Sequence, residues 1–255
     1  MEQRPFVLSG GGTRGFAHLG VVKALEEHGL SPSALSGTSA GAMAGAFLAN
    51  GFTPDEVMEM FVGKVGYKML SWNSFHMGLV SMKHIVEFLD KNLRYKTFGE
   101  LRFPLYITAT NFLDGRQRIF SEGDLIEAVV ASCSVPVVFP PVFIDGVPYV
   151  DGGLSNDLPV EPFAGRKHET VCIYVNPVRE FVPKKGLMDV LDRAWHLSFR
   201  EMVTRSAEGC YLYIEPFPLH CFSMYDINKL SEIFELGYHF TRKLIADKLP
   251  GQLVN

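Results

Sequence analysis

The stretch Gly37-Thr-Ser39-Ala-Gly41 fits the pattern G-x-S-x-G and decides how the rest of the chain is interpreted. It follows a short predicted strand, Ala34–Ser36, and opens a predicted helix of small residues, Ala40–Asn50. A serine at such a strand-to-helix turn is held in a strained backbone conformation, with its hydroxyl exposed at the positive end of the helix dipole. The pattern therefore predicts that Ser39 is a nucleophile. A simple helix cap is the alternative that these five residues leave open.

A glycine-rich loop lies between the first predicted strand, Phe6–Ser9, and the first predicted helix, Gly15–His28. Consecutive glycines free the backbone amides to point into one space, and the helix N-terminus behind them adds positive potential. Such amides suit the oxyanion of an acyl tetrahedral intermediate. The candidate oxyanion-binding residues are Gly10, Gly11, Gly12, Thr13, Arg14 and Gly15.

The same loop also matches the dinucleotide-binding pattern G-x-G-x-x-G, which gives a second, Rossmann-type interpretation. Two observations weigh against it. The second predicted strand ends in Ser36-Gly37 without an acidic residue, and Glu26 and Glu27 come too early to reach a ribose. A phosphate-binding P-loop is excluded because Phe16 stands where a lysine would be needed.

The third motif is Asp151-Gly152-Gly153, which follows a predicted hairpin of the strands Val142–Ile144 and Val147–Val150. Ligands of open α/β sheets bind beyond the carboxyl ends of the strands, so an aspartate at this place is positioned for chemistry. Taken alone, a turn-forming aspartate is the more ordinary explanation.

These three motifs, in this order and each at the end of a predicted strand, resemble those of the patatin-like phospholipase family. The resemblance covers about residues 5–160 and extends to the stretches 14–15, 18–22, 131–136 and 139–142. It implies a serine acyl hydrolase in which Ser39 is the nucleophile, Asp151 is the general base and the amides of residues 10–15 bind the oxyanion. It also implies that no metal and no cofactor is needed. The glycines that support the motifs are Gly37, Gly41, Gly152 and Gly153.

Strands and helices alternate along the chain, which predicts an α/β fold with a mostly parallel sheet and helices on both faces. The resemblance implies a three-layer α/β/α sandwich, related to the α/β-hydrolases, in a single catalytic domain over residues 1–255 with a helical C-terminal part at 186–250. The other predicted elements are a capped helix from Thr53, a Ser-capped helix Ser81–Asn92, strands Leu105–Phe112, Gln117–Phe120 and Val171–Val175, and helices Asp124–Ser132, Gly186–Glu208 and Asn228–Lys248.

The composition argues against a nucleic-acid-binding protein and against a zinc site. The chain has 255 residues, with 24 Lys and Arg against 28 Asp and Glu, so its net charge of −4 offers no basic field for nucleic acid. The four cysteines form no C-x-x-C pair and no zinc pattern.

The first residues do not resemble a signal peptide, and the two uncharged stretches, Gly29–Pro54 and Ala128–Ile144, are interrupted by prolines. The expectation is a cytoplasmic protein that contacts membranes transiently at most; oligomeric state is not indicated.

The histidines favour a Ser-Asp dyad over a triad. His168, His196, His220 and His239 follow Asp151 in the order that a hydrolase triad requires, but none lies in a loop with a supporting motif. His18 precedes the serine and is interpreted as structural. Two apolar stretches, Phe61–Met82 and Pro216–Tyr225, fit either a flap over a lipid channel or loops packed on the core.

The leading hypothesis is a lipid acyl hydrolase of phospholipase A or lysophospholipase type that works through an acyl-enzyme. A general esterase or thioesterase on the same dyad is the first alternative. The others are a dinucleotide-binding protein that uses Gly10–Gly15 and a catalytically silent interaction module. The expected partner is therefore a lipid or another acyl ester.

Overall fold

The computed structural model describes residues 2–62, 82–178 and 187–248. The strands are β1 (Glu2–Leu8), β2 (Leu30–Thr38), β3 (Leu105–Asn111), β4 (Gln117–Phe120), β5 (Val142–Ile144), β6 (Val147–Asp151), β7 (Val171–Ile173) and β8 (Leu212–Ile214). The α-helices are α1 (Phe16–Glu27), α2 (Ala40–Ala49), α3 (Pro54–Val62), α4 (Lys83–Asn92), α5 (Leu125–Ser132), α6 (Leu187–Ala207) and α7 (Leu230–Lys248).

The eight strands form one mixed sheet in the order β5-β6-β3-β2-β1-β7-β8, and β4 pairs with β3 outside this path. Strands β3, β2, β1, β7 and β8 run parallel to one another, whereas β4 and β6 pair antiparallel with β3 and β5 pairs antiparallel with β6. The predicted α/β fold with a mostly parallel central sheet is confirmed.

The alternation of side chains along β1 shows how the layers are arranged. Phe6 and Leu8 pack into a large core shared with α1, α2, α3, α4, α5 and α7. Val7 points to the other face, where it joins a second core with Phe163 and with Val203 of α6. Because successive strand residues face opposite sides of a sheet, helices cover both faces, which is the three-layer α/β/α arrangement.

The C-terminal helix α7 lies against α1 at very short range. A β-carbon on Gly20 would be 2.1 Å from the carbonyl oxygen of Phe234, and one on Gly237 would be 2.5 Å from that of Ala17. Glycine on each helix therefore allows the two backbones to touch. This contact attaches the C-terminal helix to the motif-bearing half of the chain, although the single domain over residues 1–255 stays a prediction.

Capping motifs were predicted at two helix starts. At α3 the predicted capping box is confirmed: the Thr53 amide donates to Glu56 Oε2 at 2.7 Å, and the Glu56 amide donates to Thr53 Oγ1 at 3.2 Å. The predicted Ser81 cap of the next helix falls on a residue outside the described ranges, in which α4 begins at Lys83 with Met82 at its N-cap. Met82 is buried in the core.

Other differences fall at element ends. Strand β2 is longer than predicted because Leu30–Ser36 pairs with β1 from Glu2 onward, and the three-residue edge strand β8 was not predicted. Most of the stretch Phe61–Met82, residues 63–81, lies outside the described residues, as do the predicted helix start at Gly186 and residues 249–255. Within the described ranges, every helix is too short or too polar to span a bilayer.

Candidate active site

The register of β3 brings two of the three motifs together. At Thr108 the partner of β3 is Thr38 of β2, and at the next residue, Ala109, the partner is Asp151 of β6. Strands β2 and β6 therefore flank β3 and end at consecutive positions along it. Because Ser39 directly follows Thr38, the predicted nucleophile and the predicted base reach the same end of the sheet, where the Ser39 hydroxyl interacts with the Asp151 carboxyl group.

Ser39 has the strained conformation that a nucleophile turn requires. Its φ of 52° and ψ of −117° lie outside the regions that non-glycine residues favour. Two hydrogen bonds fix the turn to the sheet: the Ser39 amide donates to Ser132 Oγ at 2.8 Å, and that hydroxyl donates to the Thr108 carbonyl at 2.6 Å. The Ser39 carbonyl accepts from Met43 and opens α2.

The two glycines of the G-x-S-x-G motif allow close backbone contacts. A β-carbon on Gly41 would lie 2.3 Å from the carbonyl oxygen of Leu8, at the end of β1. A β-carbon on Gly37 would lie 2.6 Å from the backbone of Gly41. Any larger residue would push α2 away from the sheet, so both glycines are needed to keep Ser39 in place.

Asp151 is buried with one oxygen bonded and one available. Its Oδ1 accepts from the Gly153 amide at 2.8 Å, which explains the glycine after the motif. Its buried Oδ2 makes no hydrogen bond of standard geometry within the described residues. Burial raises the pKa of Asp151 to about 6, and the Ser39 hydroxyl and the Gly153 amide limit that rise. Asp151 is thus a stronger base than an ordinary aspartate, and it lies close enough to the Ser39 hydroxyl to interact with it.

Several backbone amides of the glycine loop already donate hydrogen bonds within the protein. Gly10 donates to the Asp157 carbonyl at 3.2 Å, Thr13 donates to the Met224 carbonyl at 3.0 Å, and Arg14 donates to a carbonyl within the loop. The amides of Gly11 and Gly12 have no such acceptor in the described part of the chain. Of the six candidate residues, these two are therefore best placed to bind an oxyanion.

Arg14 and Gly15 hold the loop in place. Arg14 is buried, and its Nε donates to the Phe222 carbonyl at 2.9 Å while Nη1 donates to Asn176 Oδ1 at 3.3 Å. Gly15 lies against Ala40, the residue after the nucleophile, because a β-carbon on Gly15 would be 2.4 Å from that of Ala40. The guanidinium therefore joins the loop to two other segments, one of which is the predicted stretch Pro216–Tyr225.

The described histidines take no part in this arrangement. His168 and His239 are exposed beside the glutamates Glu169 and Glu235, and His220 Nδ1 is 2.7 Å from the Phe217 carbonyl. His18 is buried, its Nε2 donates to the Ser9 carbonyl at 2.8 Å, and burial lowers its pKa to about 4. None of them hydrogen-bonds to the dyad. The side chain of His196 lies outside the described residues.

Three residues of the site were missed by sequence reasoning: Ser132, Asp157 and Asn176. Ser132 lies in the stretch 131–136 that carried the resemblance, so a signal for it existed. Asp157 and Asn176 lie on loops after β6 and β7, and neither is part of a recognised motif. In the described ranges no group of His, Cys, Asp and Glu side chains is suited to a metal ion.

Comparisons with known proteins agree with the motifs. A family model described as patatin-like phospholipase matches residues 6–164. Lysophospholipase NTE1 from Kluyveromyces lactis is 28% identical over 92% of this chain and 18% of its own length, and the Eremothecium gossypii protein of that name is 32% identical over 91% and 17%. An uncharacterized NTE family protein from Mycobacterium bovis is 29% identical over 69% of this chain and 51% of its own length.

The fold also has a solved counterpart. VipD from Legionella pneumophila superposes with a TM-score of 0.59 and 16% identity, over 97% of this chain and 67% of the other. At this identity the likeness concerns the fold alone. The chain spans less than a fifth of the length of the two lysophospholipases.

Proposed function

The chain belongs to the patatin-like phospholipase family, and from that premise we propose that it hydrolyses fatty-acyl esters of phospholipids or lysophospholipids. Ser39 is the nucleophile in this proposal and Asp151 is the general base. The supporting observation is that the hydroxyl of a strained serine interacts with a buried carboxyl group at the point where β2 and β6 end on either side of β3.

In the first half of the reaction, Asp151 Oδ2 takes the proton of Ser39 Oγ as that oxygen attacks the ester carbonyl. The negative charge moves to the carbonyl oxygen, where the amides of Gly11 and Gly12 donate hydrogen bonds to it. The C–O bond then breaks, the protonated Asp151 gives its proton to the leaving alkoxide, and the acyl group stays on Ser39.

In the second half, Asp151 takes a proton from water, and the hydroxide attacks the acyl-enzyme. The tetrahedral intermediate collapses to release the fatty acid, and Ser39 Oγ recovers its proton from Asp151. The same carboxyl group therefore serves both steps, provided that it is ionised at the start of each. Two donor amides and one base are sufficient for this cycle, so no metal ion or histidine enters it.

A substrate panel tests the proposal against its alternatives. The panel contains lysophosphatidylcholine, phosphatidylcholine, a short p-nitrophenyl ester and an acyl-CoA thioester. We expect turnover of at least one of the two lipids above that of the thioester. Turnover of the short ester alone would make the protein a general esterase, and turnover of the thioester alone a thioesterase. Binding of NAD without any hydrolysis would favour the dinucleotide-binding alternative.

The glycine loop provides a direct test of oxyanion binding. Gly12 has a φ of +56°, and a β-carbon there would lie 2.6 Å from the Met224 carbonyl oxygen. Gly12→Ala is therefore expected to displace the loop amides and to lower kcat by about 10²-fold, the usual cost of one oxyanion donor. The measurement is steady-state hydrolysis of the p-nitrophenyl ester, with circular dichroism to confirm the fold.

Gly165→Ala is the matched control for this variant. Gly165 has open space around its α-carbon and an ordinary φ, so an added methyl group meets nothing. We expect unchanged activity from it. A folded Gly12→Ala enzyme with the activity of the control would show that the glycine loop does not bind the oxyanion.

An exposed apolar surface near the site supports transient contact with lipid. The Phe112 amide, just after β3, donates to the Pro148 carbonyl of β6, and Pro148 pairs with Phe143 of β5, so these three residues lie side by side. Phe112 and Phe143 are more than half exposed. We call these three residues the apolar row. It lies on the opposite face of the strands from Tyr149, which is buried.

Two further apolar side chains are strongly exposed. Leu113 is 73% exposed in the turn after β3. Val137 is 88% exposed with a φ of 74°, a conformation that costs a β-branched residue about 1–3 kcal/mol. The apolar row, on the strands that lead to the proposed lipid-cleaving site, suits contact with a bilayer. We include this contact in the proposal.

The double variant Phe112→Ser/Phe143→Ser tests the lipid contact. Loss of two rings that are each more than half exposed is expected to weaken partitioning onto phosphatidylcholine vesicles at least about tenfold, since full burial of one Phe side chain contributes about 1.5–3 kcal/mol and about 1.4 kcal/mol is a tenfold change. Hydrolysis of the soluble p-nitrophenyl ester should stay unchanged. Val190→Ser, an exposed apolar position on α6, is the control in vesicle sedimentation. Equal partitioning of both variants and the wild type would remove the apolar row from the proposal.

A cytoplasmic location completes the proposal. Its support is the state of the four cysteines, Cys133, Cys172, Cys210 and Cys221, which are all free thiols. Unpaired thiols are typical of a reducing compartment.

A further inference from the structure

A second buried carboxyl group, that of Asp157, lies against the glycine loop. The Asp157 side chain is 5% exposed, and its Oδ1 is 2.4 Å from the point that a β-carbon on Gly10 would occupy. The β-carbon of Ser39 is 3.5 Å from the same point. The carboxyl group of Asp157, the α-carbon of Gly10 and the nucleophile therefore meet at one place, although Asp157 has no part in the mechanism above.

Asn176 connects this carboxyl group to both ends of the loop. Its Nδ2 donates to Asp157 Oδ2 at 3.2 Å and to the Gly10 carbonyl at 3.0 Å. Its Oδ1 accepts from Arg14 Nη1 at 3.3 Å. Asn176 is itself 1% exposed. Since Gly10 and Arg14 flank the two amides assigned to the oxyanion, the position of those amides depends on this chain of hydrogen bonds.

The charged and titratable groups around Asp157 come from several elements. Asp151 on β6 is a like charge, and Arg14 reaches Asp157 through Asn176. Tyr174, after β7, stays neutral because burial and the carboxyl charge of Asp157 raise its pKa. His18, bonded to the end of β1, is neutral at physiological pH. Burial and the charge of Asp151 raise the pKa of Asp157 to about 7, and the Asn176 and Gly10 hydrogen bonds limit that rise.

We propose that Asp157 is a positioning residue that supports catalysis in its neutral form: it holds the oxyanion loop through Asn176 without placing a negative charge beside it. The inference rests on the proposed acyl-transfer function. During attack by Ser39, negative charge leaves Asp151 and appears next to the glycine loop, against which Asp157 lies. An ionised Asp157 opposes this movement of charge, and a neutral one does not.

The direction of the pH effect follows from these positions. Asp157 is neutral below about pH 7 and ionises above it, so the rate is expected to decline as the pH rises through this value. Asp157→Asn keeps an oxygen that can accept from Asn176 and removes the charge. We expect this variant to lose the alkaline decline and, at pH 8, to hydrolyse a soluble p-nitrophenyl ester about tenfold faster than the wild type.

The experiment measures kcat/KM from pH 5 to pH 9 for wild type, Asp157→Asn and Asp145→Asn, which makes the same change at an exposed turn. The control should keep the wild-type profile. A second variant, Asn176→Ala, should lower kcat about tenfold at pH 6 with little change in KM, because it loosens the loop while Asp157 is neutral. An unchanged alkaline decline in Asp157→Asn, or a folded Asp157→Asn enzyme that is inactive at every pH, would overturn the proposal.

The pH dependence of Ser39 labelling by a fluorophosphonate separates this inference from the proposed function. Phosphonylation of Ser39 also builds negative charge on an oxygen next to the loop, and fluoride leaves. If no ester is hydrolysed but Ser39 is labelled, the substrate assignment fails and the labelling profiles of the same three proteins still decide the role of Asp157. If Ser39 is not labelled in any of them, both the function and the inference are refuted.

Discussion

Replacement of Ser39 by alanine is expected to lower kcat for acyl-ester hydrolysis on the order of 10³-fold or more. The reason is chemical, because alanine has no oxygen that can carry the acyl group, and the neighbouring Thr38 hydroxyl is buried and donates to the Asn156 carbonyl. The variant should fold well, since the substitution removes none of the backbone hydrogen bonds that hold the turn. The amide of residue 39 still donates to Ser132, and its carbonyl still accepts from Met43. Labelling by a fluorophosphonate should disappear together with activity.

Ser33→Ala is the matched control for this experiment. Ser33 lies on the same strand, and its hydroxyl has no hydrogen-bond partner within the described residues. Its removal should change neither labelling nor turnover. Activity retained by Ser39→Ala, or a label recovered on a peptide without Ser39, would show that the nucleophile lies elsewhere.

The nucleophile turn was predictable from sequence because its requirements are local. A strand, a five-residue turn and a helix of small residues follow one another, and the glycines at positions 37 and 41 are needed for contacts within a few residues of Ser39 or with the neighbouring strand. The capping box at Thr53 and the hairpin that ends at Asp151 are of the same kind. Local hydrogen bonds and turn chemistry leave recognisable patterns in a sequence.

The parts that could not be predicted depend on contacts between distant segments. Arg14 and Asn176 are 162 positions apart in the chain, and nothing near either residue indicates their hydrogen bond. The Met224 carbonyl accepts a hydrogen bond from Thr13 of the glycine loop. Met224 lies in an irregular segment for which the sequence indicates only an apolar character. Tertiary packing decided these features over local preference.

Asp151→Asn is expected to lower kcat by about 10³-fold or more while it preserves the fold. An amide keeps the shape of the side chain and an oxygen for the Gly153 amide, but it cannot take the proton of Ser39. In the wild type the rate should rise as the pH passes through about 6, because Asp151 must be ionised to act as a base. The measurement is hydrolysis of the p-nitrophenyl ester as a function of pH.

The same substitution is expected to stabilise the protein. The pKa of Asp151 is raised from 3.8 to about 6 on folding, so the folded state loses stability as the pH rises through this range and the buried carboxyl group ionises. Asparagine removes that loss, which amounts to about 3 kcal/mol above pH 6 at 1.4 kcal/mol for each pKa unit. A higher midpoint of thermal unfolding at pH 8, together with lost activity, is the pattern expected of a catalytic group kept at a cost in stability.

The histidine variants decide between a dyad and a triad. His168→Gln, His220→Gln and His239→Gln are each expected to keep substantial activity, because none of these imidazoles hydrogen-bonds to Asp151 or Ser39. We expect the same of His196→Gln, because His196 lies within helix α6 and not in a loop at the site. If one folded variant is as inactive as Asp151→Asn, a histidine completes the site and Asp151 only orients it. If Asp151→Asn itself stays active, the carboxyl group is a turn residue and its buried, unbonded oxygen needs another explanation. A loss confined to Asp151→Asn, accompanied by the gain in stability, leaves the carboxylate as the group that takes the serine proton.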